Sequence, residues 1–528
     1  MPKNILAEMG SQVGLTPARQ NKKEAEEWAR RQSGPMVNPS FEPDDFVPQS
    51  LSPMQDDKKK KKNREADKAI SLVNMKNMED VDDYEPYDNR VVEHPTTNTE
   101  TLLHLLKGSL GTGILAMPHA FSNSGYIVGT IGTFVIGILC TYCIHVLLDT
   151  SYVLCKRRRV PSMTYTTVAE AALSEGPGWC KAIAPYSGHV VNAFLLIYQI
   201  GTCCVYIVFV AENIQSILIK QFGIEVHVIQ VMAVVLLPLV LMNWVRDLKY
   251  LAPFSAMANA VTIVGFGIIL YYIFRDVPTL EGKAPVGVVS KFPLFFGTVL
   301  FALEAIGVIL PLENEMKNPR DFVGKFGVLN QAMGIIITLY IGMGLFGYLQ
   351  YGDKAAGSIT LNLPSDSEVL ASVVQGLLAF AIFITHALAC YVAIDIVWNE
   401  YLGCRFQNTK YRLVWEYLVR TVIVLLTFGV AAAVPELDLF ISLFGALCLS
   451  ALGLAFPAFI QSCAYWHYVN RSERIRIIIK NAFVIIFGIL GLIVGTWTSM
   501  EGIILKFAGK ETHHIPYTND TIIGPNVN

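Results

Sequence analysis

The sequence predicts an all-α protein that crosses a lipid bilayer about eleven times. Of its 528 residues, 53% are hydrophobic and only 16% are charged, which is too apolar for a soluble protein of this length. From residue 101 onward, long apolar stretches follow one another, and about 20 helical residues suffice to cross a hydrocarbon core of about 30 Å. Glycine-rich interruptions in the first and sixth stretches further predict an inverted five-plus-five repeat with two broken helices.

The first 95 residues differ in composition, and we predict that they form a disordered cytoplasmic tail. Residues 1–90 contain 15 of the 41 Lys and Arg residues and 17 of the 43 Asp and Glu residues. Such a segment buries too little apolar surface to offset its chain entropy, although it could hold a cytoplasmic signalling partner. The opening residues show no cleavable signal peptide, and a net charge of −2 predicts no nucleic-acid partner.

Residues 96–507 form the predicted transmembrane domain, and residues 508–528 form a C-terminal tail. The predicted spans are 101–121, 125–155, 187–212, 227–245, 253–274, 292–315, 326–349, 368–397, 413–434, 438–464 and 481–505. Loops on the side of the N-terminus contain 17 Lys and Arg residues, against 5 in the opposite loops. Because basic residues stay on the cytoplasmic side, we predict a cytoplasmic N-terminus and an extracellular or luminal C-terminus. Asn519 begins an Asn-Asp-Thr glycosylation sequence that would be used on that side.

The two interrupted spans are the predicted binding region. The first has Gly108, Gly111 and Gly113 within six residues, and Pro118 follows about one turn later. Amides freed at a half-helix N-terminus attract an anionic group, and freed carbonyls accept from a cationic one. An α-amino acid carries both groups at one end and would fit. The alternative is a close helix–helix contact through small residues.

Two ionisable residues lie within the interrupted spans. His104 precedes the first glycine cluster, and its imidazole titrates in a range suited to a coupled proton. It could equally hydrogen-bond within the bundle, and His119, His145 and His386 compete for the coupling role. Glu304 is the carboxylate well inside the sixth span, where it could accept a proton, pair with a substrate amine or anchor the structure.

Energy for transport would have to come from an ion gradient. The sequence contains no Gly-x-x-x-x-Gly-Lys-Ser/Thr loop for nucleotide hydrolysis. No nucleophile, base and orienting group can be assembled from its motifs, so an enzyme is not expected. Neither a metal site nor a cofactor is predicted, apart from the proton as coupling ion.

Several long motifs occur in an order that carries a family resemblance. They are HLLKGSLGTGILAMP at 104–118, FPLFFGT at 292–298, LPLEN at 310–314 and GSITLNLP at 357–364. Over residues 95–507 the chain resembles the proton-coupled amino acid transporters of the amino acid/auxin permease superfamily. The resemblance implies eleven spans, a core similar to the inverted-repeat fold of sodium-coupled amine transporters, and electrogenic symport of protons with small neutral amino acids.

The resemblance also implies roles for particular residues. His104 matches the histidine that the family uses for proton coupling. The substrate-binding residues that it implies are Gly111, Thr112 and Gly113 in the first span and Phe301, Glu304 and Gly307 in the sixth. One departure is that the loops at 213–226 and 350–367 lack the cysteines that often form a disulfide in the family.

The function predicted from the sequence is alternating-access symport of alanine, glycine or proline with a proton. The membrane would be the plasma membrane or that of the late endosome or lysosome. Two alternatives remain at this point. One is an endolysosomal amino acid sensor that transports slowly, and the other is a sodium-coupled or facilitative amino acid carrier.

Overall fold

The computed structural model describes residues 84–92, 95–246, 248–275, 278–303, 306–364, 369–403, 405–406 and 411–508. Within these ranges every regular element is a helix, and the one β pairing is a bridge between Thr96 and Met316. The all-α prediction is therefore confirmed. Asn519 and Glu304 lie outside the described residues, as does most of the predicted tail.

The helices are numbered in chain order. Their bounds are α1 Asn98–Ser109, α2 Thr112–Ser124, α3 Tyr126–Arg158, α4 Tyr165–Glu175, α5 Gly178–Phe222, α6 Val228–Asn243, α7 Leu248–Arg275, α8 Phe292–Ala302, α9 Ile306–Asn314, α10 Arg320–Val323, α11 Val328–Tyr351, α12 Val369–Asp395, α13 Arg412–Ala433, α14 Leu437–Phe444, α15 Phe456–Ala464 and α16 Arg471–Phe507.

Nine helical segments in the described part of the chain are long and apolar enough to cross a membrane. The shorter apolar helix α6 adds a tenth candidate, and the first predicted span consists of two helices of 12 and 13 residues. The count of eleven spans stays a prediction. The first expected interruption is present, because α1 and α2 are separate helices, and in the sixth span α8 ends at Ala302, where Leu303 forms a turn.

Local sequence explains where the first helix begins. The Thr97 hydroxyl caps α1 by accepting from the Glu100 amide at 3.3 Å, and the Glu100 carboxylate accepts from the Thr97 amide at 2.8 Å. This reciprocal capping satisfies two amides that the first turn leaves without helical partners. The start of the broken first span is therefore encoded in four residues of sequence, 97–100.

Small residues let α11 pack closely on α2. A Cβ atom on Gly347 would lie 2.5 Å from Cγ of Pro118, and one on Gly344 would lie 2.5 Å from the Phe121 ring. Tyr340 is one turn before Gly344 on the same helix face, because residues four apart lie above one another. This packing aims Tyr340 at the interrupted part of the first span.

The tenth predicted span contains a feature that hydropathy did not reveal. Between α14 and α15, residues Gly445–Ala455 form a π-helix. A Cβ atom on Gly445 would overlap the Gly297 carbonyl oxygen of α8. The tenth span therefore touches the backbone of the sixth span just before its break, and only glycine permits that approach.

Residues 84–92, here called the N-terminal strap, pack on one end of the bundle. The Arg90 guanidinium lies 3.2 Å from the carboxylate of Glu313 on α9, and both side chains are less than a tenth exposed. Arg90 also donates to the Pro161 carbonyl at 2.9 Å. The Tyr87 and Tyr152 rings pack with centroids 4.9 Å apart. Ordered contacts thus begin before residue 96, where the predicted transmembrane domain starts.

Candidate functional site: two helix breaks that meet

The first break leaves backbone groups free of helical partners. Helix α1 ends at Ser109, and Gly111 caps the start of α2 without a side-chain hydrogen bond. The amides of Thr112, Gly113 and Ile114 have no backbone acceptor elsewhere in the described chain. They open a helix whose dipole is positive at this end, so they can receive a carboxylate.

The end of α8 packs closely against this first break. A Cβ atom on Gly113 would lie 2.6 Å from Cα of Ala302 and 3.0 Å from its Cβ. Real Cβ atoms do not approach backbone so closely, so only glycine fits at position 113. Ala302 is the last residue of α8, and therefore the two breaks lie side by side.

One tyrosine hydroxyl joins both breaks. Tyr340 of α11 is fully buried, and its hydroxyl lies within hydrogen-bond distance of the Ser109 and Ala302 carbonyl oxygens, the latter at 2.7 Å. A hydroxyl has one proton, so the two carbonyls share a single donor. Tyr340 thereby stabilises the C-terminal ends of both half-helices at once.

Replacing Tyr340 with phenylalanine tests this link. The change removes the shared donor and leaves two buried carbonyls without it, which costs about 1–3 kcal/mol. We expect purified Tyr340→Phe to melt at a lower temperature than wild type and to take up amino acid more slowly at equal surface expression. Tyr186→Phe is the control, because Tyr186 is exposed on α5. Equal melting of both variants and wild type would show that the link is unimportant.

Aromatic side chains surround the junction. Phe301 of α8 is buried, and its ring centroid is 6.0 Å from that of Tyr198 on α5. The Tyr206 hydroxyl, further along α5, is the nearest atom to a Cβ built on Gly111, at 3.9 Å. Thr112 is 3% exposed, and its hydroxyl has no hydrogen-bond partner among the described residues. The junction therefore offers free amides and one free hydroxyl between aromatic walls.

The structure brings most of the predicted binding residues together. Gly111, Thr112 and Gly113 lie at the first break, and Phe301 lies beside them at the end of α8. Gly307 is in the first turn of α9, beyond the second break. Of the predicted set, only Glu304 is outside the described residues, so its role stays a prediction.

His104 lies apart from this junction. It is half-buried on α1, five residues or about 7.5 Å of helix before Ser109. Charges on either side act on its imidazole, namely those of Glu100 and Lys107. Its role in proton coupling stays a prediction, since no contact between described residues joins His104 to the freed amides.

The competing histidines occupy three different environments. The His145 Nε2 pairs with the Asn330 side-chain oxygen at 2.8 Å. His386 of α12 is 1% exposed, and both of its ring nitrogens lack partners among the described residues. His119 lies toward the far end of α2, where it pairs with Asp438 at 3.3 Å.

The tyrosines of the junction are not recognisable as site residues from the sequence. Tyr198, Tyr206 and Tyr340 lie in spans whose hydropathy gives no sign of a site, and none belongs to the motifs singled out above. A phenol within an apolar span is a weak signal, because most such residues simply pack. Their roles follow from helix packing, which brings α5 and α11 to the breaks.

The fold and the site together define a multi-pass membrane transporter. Discontinuous helices that meet inside a bundle and present free backbone groups are typical of secondary transporters. The profile of the family described as "Transmembrane amino acid transporter protein" matches residues 94–501. The chain therefore belongs to this family, and it is an amino acid transporter rather than an enzyme. This confirms the resemblance found from the motifs.

Two similar proteins come from invertebrates. The chain is 40% identical over 418 residues to the "Proton-coupled amino acid transporter-like protein pathetic" of Drosophila melanogaster, covering 79% of this chain and 88% of that protein. It is 27% identical over 430 residues to the "Probable amino acid transporter skat-1" of Caenorhabditis elegans, covering 78% and 91%.

A solved structure is also similar in part. It is the nucleobase-cation-symport-1 family transporter MHP1 in a closed conformation with bromovinylhydantoin bound, at 14% identity and a TM-score of 0.42. The alignment covers 80% of this chain and 94% of that one. A TM-score of this size does not establish a common fold.

Proposed function

We propose that the protein is a symporter that moves small neutral amino acids together with protons. The observation that carries the proposal is the junction of the two breaks, where free amides of α2 face the end of α8. The amides receive the substrate carboxylate, and backbone carbonyls at the end of α8, other than that of Ala302, which accepts from Tyr340, accept from its ammonium group. A relative named as proton-coupled supports the choice of coupling ion.

The walls of the junction favour small substrates. Phe301 and Tyr198 are less than a tenth exposed, and the contact of Gly113 with Ala302 brings two backbones together. A bulky substrate side chain would have to displace one of these groups, at a cost that alanine, glycine or proline avoids. The absence of a net charge on these substrates leaves the proton as the transported charge.

The orientation and the membrane are parts of the proposal. The excess of basic residues in loops on the N-terminal side supports a cytoplasmic N-terminus. Protons then enter from the extracellular or luminal side, where acidification drives uptake into the cytoplasm. A plasma membrane and a lysosomal membrane both provide such a gradient.

Electrical recording tests the proposal directly. In cells that express the protein at their surface, alanine, glycine or proline should evoke an inward current that is larger at about pH 5.5 than at about pH 7.5. Replacing sodium with choline should leave the current unchanged. Binding of amino acid without a pH-dependent current would favour a sensor, and loss of current in choline would favour a sodium-coupled carrier.

The role of His104 is tested in the same recordings. We expect His104→Gln to reduce the acid-stimulated current at least about tenfold, because the variant cannot take up a proton in this pH range. His189→Gln is the control, since His189 is exposed on α5 and pairs with Tyr401. A current in His104→Gln with the amplitude and pH profile of wild type would exclude His104 as the coupling residue.

A further inference from the structure

A histidine–aspartate pair joins two spans at the end of the bundle opposite the N-terminal strap. The Nε2 atom of His119 on α2 lies 3.3 Å from Oδ2 of Asp438 on α14. The Nδ1 atom of the same ring lies 2.8 Å from the Ala355 carbonyl oxygen. The side chains of His119 and Asp438 are 24% and 29% exposed, so protons can reach them.

The hydrogen-bond geometry of His119 calls for an additional proton. Both ring nitrogens face oxygen acceptors, one from a carbonyl and one from a carboxylate. An imidazolium ring donates from both nitrogens, whereas a neutral ring donates from only one. If the ring is neutral and its Nδ1 donates to the Ala355 carbonyl, the hydrogen bond between Nε2 and Asp438 requires a proton on the carboxyl group instead. In either form the pair holds one exchangeable proton between Nε2 and Oδ2.

A second carboxyl group lies close to this pair. Glu212 of α5 interacts electrostatically with Asp438, and its Oε2 atom is buried without a hydrogen-bond partner among the described residues. Like charges at close range disfavour one another, so a proton in the cluster lowers the electrostatic cost of holding both carboxyl groups. The pair and Glu212 are here called the far-end proton cluster.

Other charged groups interact electrostatically with the residues of the cluster. Lys291, on the turn before α8, acts on His119, and Lys506 acts on both Asp438 and Glu212. Lys506 is itself bound to Glu436, with 2.5 Å between Nζ and Oε2. Asp353 and Lys354 are exposed on the turn that precedes Ala355, whose carbonyl oxygen faces His119.

The cluster lies between the helix breaks and the far end of the bundle. The Tyr206 hydroxyl is 3.9 Å from a Cβ atom built on Gly111 at the first break, and Glu212 follows Tyr206 by six residues, or about 9 Å of helix. His119 follows Gly111 by eight residues, or about 12 Å of helix. A proton moving from the far end toward the substrate junction therefore meets this cluster before it reaches the junction.

We propose that the far-end proton cluster binds a proton from the side opposite the N-terminus. This proton stabilises the contact between α2 and α14, because it forms the hydrogen bond between His119 and Asp438. The site is separate from His104, which lies on the other half of the first span. Helix α2 carries the amides proposed to bind substrate, so protonation at His119 holds those amides in place. The claim that this proton is the coupling ion rests on the proposed function.

The first test of the cluster is the pH dependence of the transport current. In full-length protein, His119→Gln and Asp438→Asn should each shift the midpoint of the alanine-evoked current by about one pH unit relative to wild type. His189→Gln should not shift it. Surface labelling shows whether each variant reaches the membrane. Midpoints equal to wild type in both cluster variants would overturn the proposal.

A second measurement does not depend on transport. The melting temperature of purified full-length protein should exceed that of His119→Gln at about pH 5, and the difference should shrink as the pH rises through the histidine range. A difference that is constant with pH would overturn the proton site. If wild-type current is independent of pH while this stability difference varies, the cluster binds a proton and the proposed symport is wrong.

Discussion

Replacing Gly113 with alanine is expected to abolish amino acid uptake. The new Cβ atom would lie 2.6 Å from Cα of Ala302, so one of the two half-helices must move away from the junction. Overpacking of a dense core costs about 1–3 kcal/mol, and a clash between backbones belongs at the upper end of that range. About 3 kcal/mol corresponds to a loss of roughly a hundredfold in the closely packed state.

Uptake of labelled alanine at equal surface expression measures this effect. Gly108→Ala is the matched control, because a Cβ atom there meets nothing within 4 Å. Gly111→Ala is an intermediate case, since its new Cβ would have only the Tyr206 hydroxyl nearby, at 3.9 Å. We expect uptake to be near wild type for Gly108→Ala. Normal uptake by Gly113→Ala would show that the two breaks need not touch during transport.

Removing Arg90 is expected to destabilise the protein strongly. Its guanidinium pairs with Glu313 at 3.2 Å, and both side chains are less than a tenth exposed. Burial, followed by the charge of Glu313, raises the pKa of Tyr87, so this phenol stays neutral and hydrogen-bonds to the same carboxylate. Without Arg90 the buried carboxylate loses its cationic partner, which costs about 3–5 kcal/mol.

The melting temperature of purified Arg90→Ala in detergent checks this expectation. Arg476→Ala is the control, because Arg476 pairs with Glu473 at 3.4 Å with side chains 78% and 47% exposed, and exposed pairs contribute about 0–1 kcal/mol. The double variant Arg90→Met with Glu313→Leu should recover much of the loss, since it leaves no unpaired charge. A loss in Arg90→Ala no larger than in Arg476→Ala would contradict a stabilising strap.

Several features of the site could be predicted from the sequence because they are local. Three glycines within Gly108–Gly113 cannot support a regular helix across the bilayer, and the structure does break there. The motif at 310–314 contributed to the family resemblance, although nothing in the sequence identified its Glu313 as the partner of Arg90. Gly113 was predicted to bind substrate, whereas its close approach to Ala302 could not be predicted from the sequence.

Other features depend on residues far apart in the chain. Tyr340 reaches the Ser109 carbonyl across 231 positions, and Arg90 reaches Glu313 across 223. The π-helix at Gly445–Ala455 lies within a continuous apolar stretch whose hydropathy does not distinguish it from an α-helix. Each of these contacts requires a particular helix rotation, which hydropathy does not specify.

By itself, the sequence determined that the protein is helical, crosses a membrane many times and belongs to an amino acid transporter family. The length of apolar stretches, the clustering of glycines and the order of motifs are visible in the sequence, so they can be recognised before the fold is known. Only the tertiary structure decided that the two breaks touch, that Tyr340 joins them, and that His119 faces Asp438. These are pairings between distant residues, and they arise because buried polar groups must find partners wherever helix packing places them.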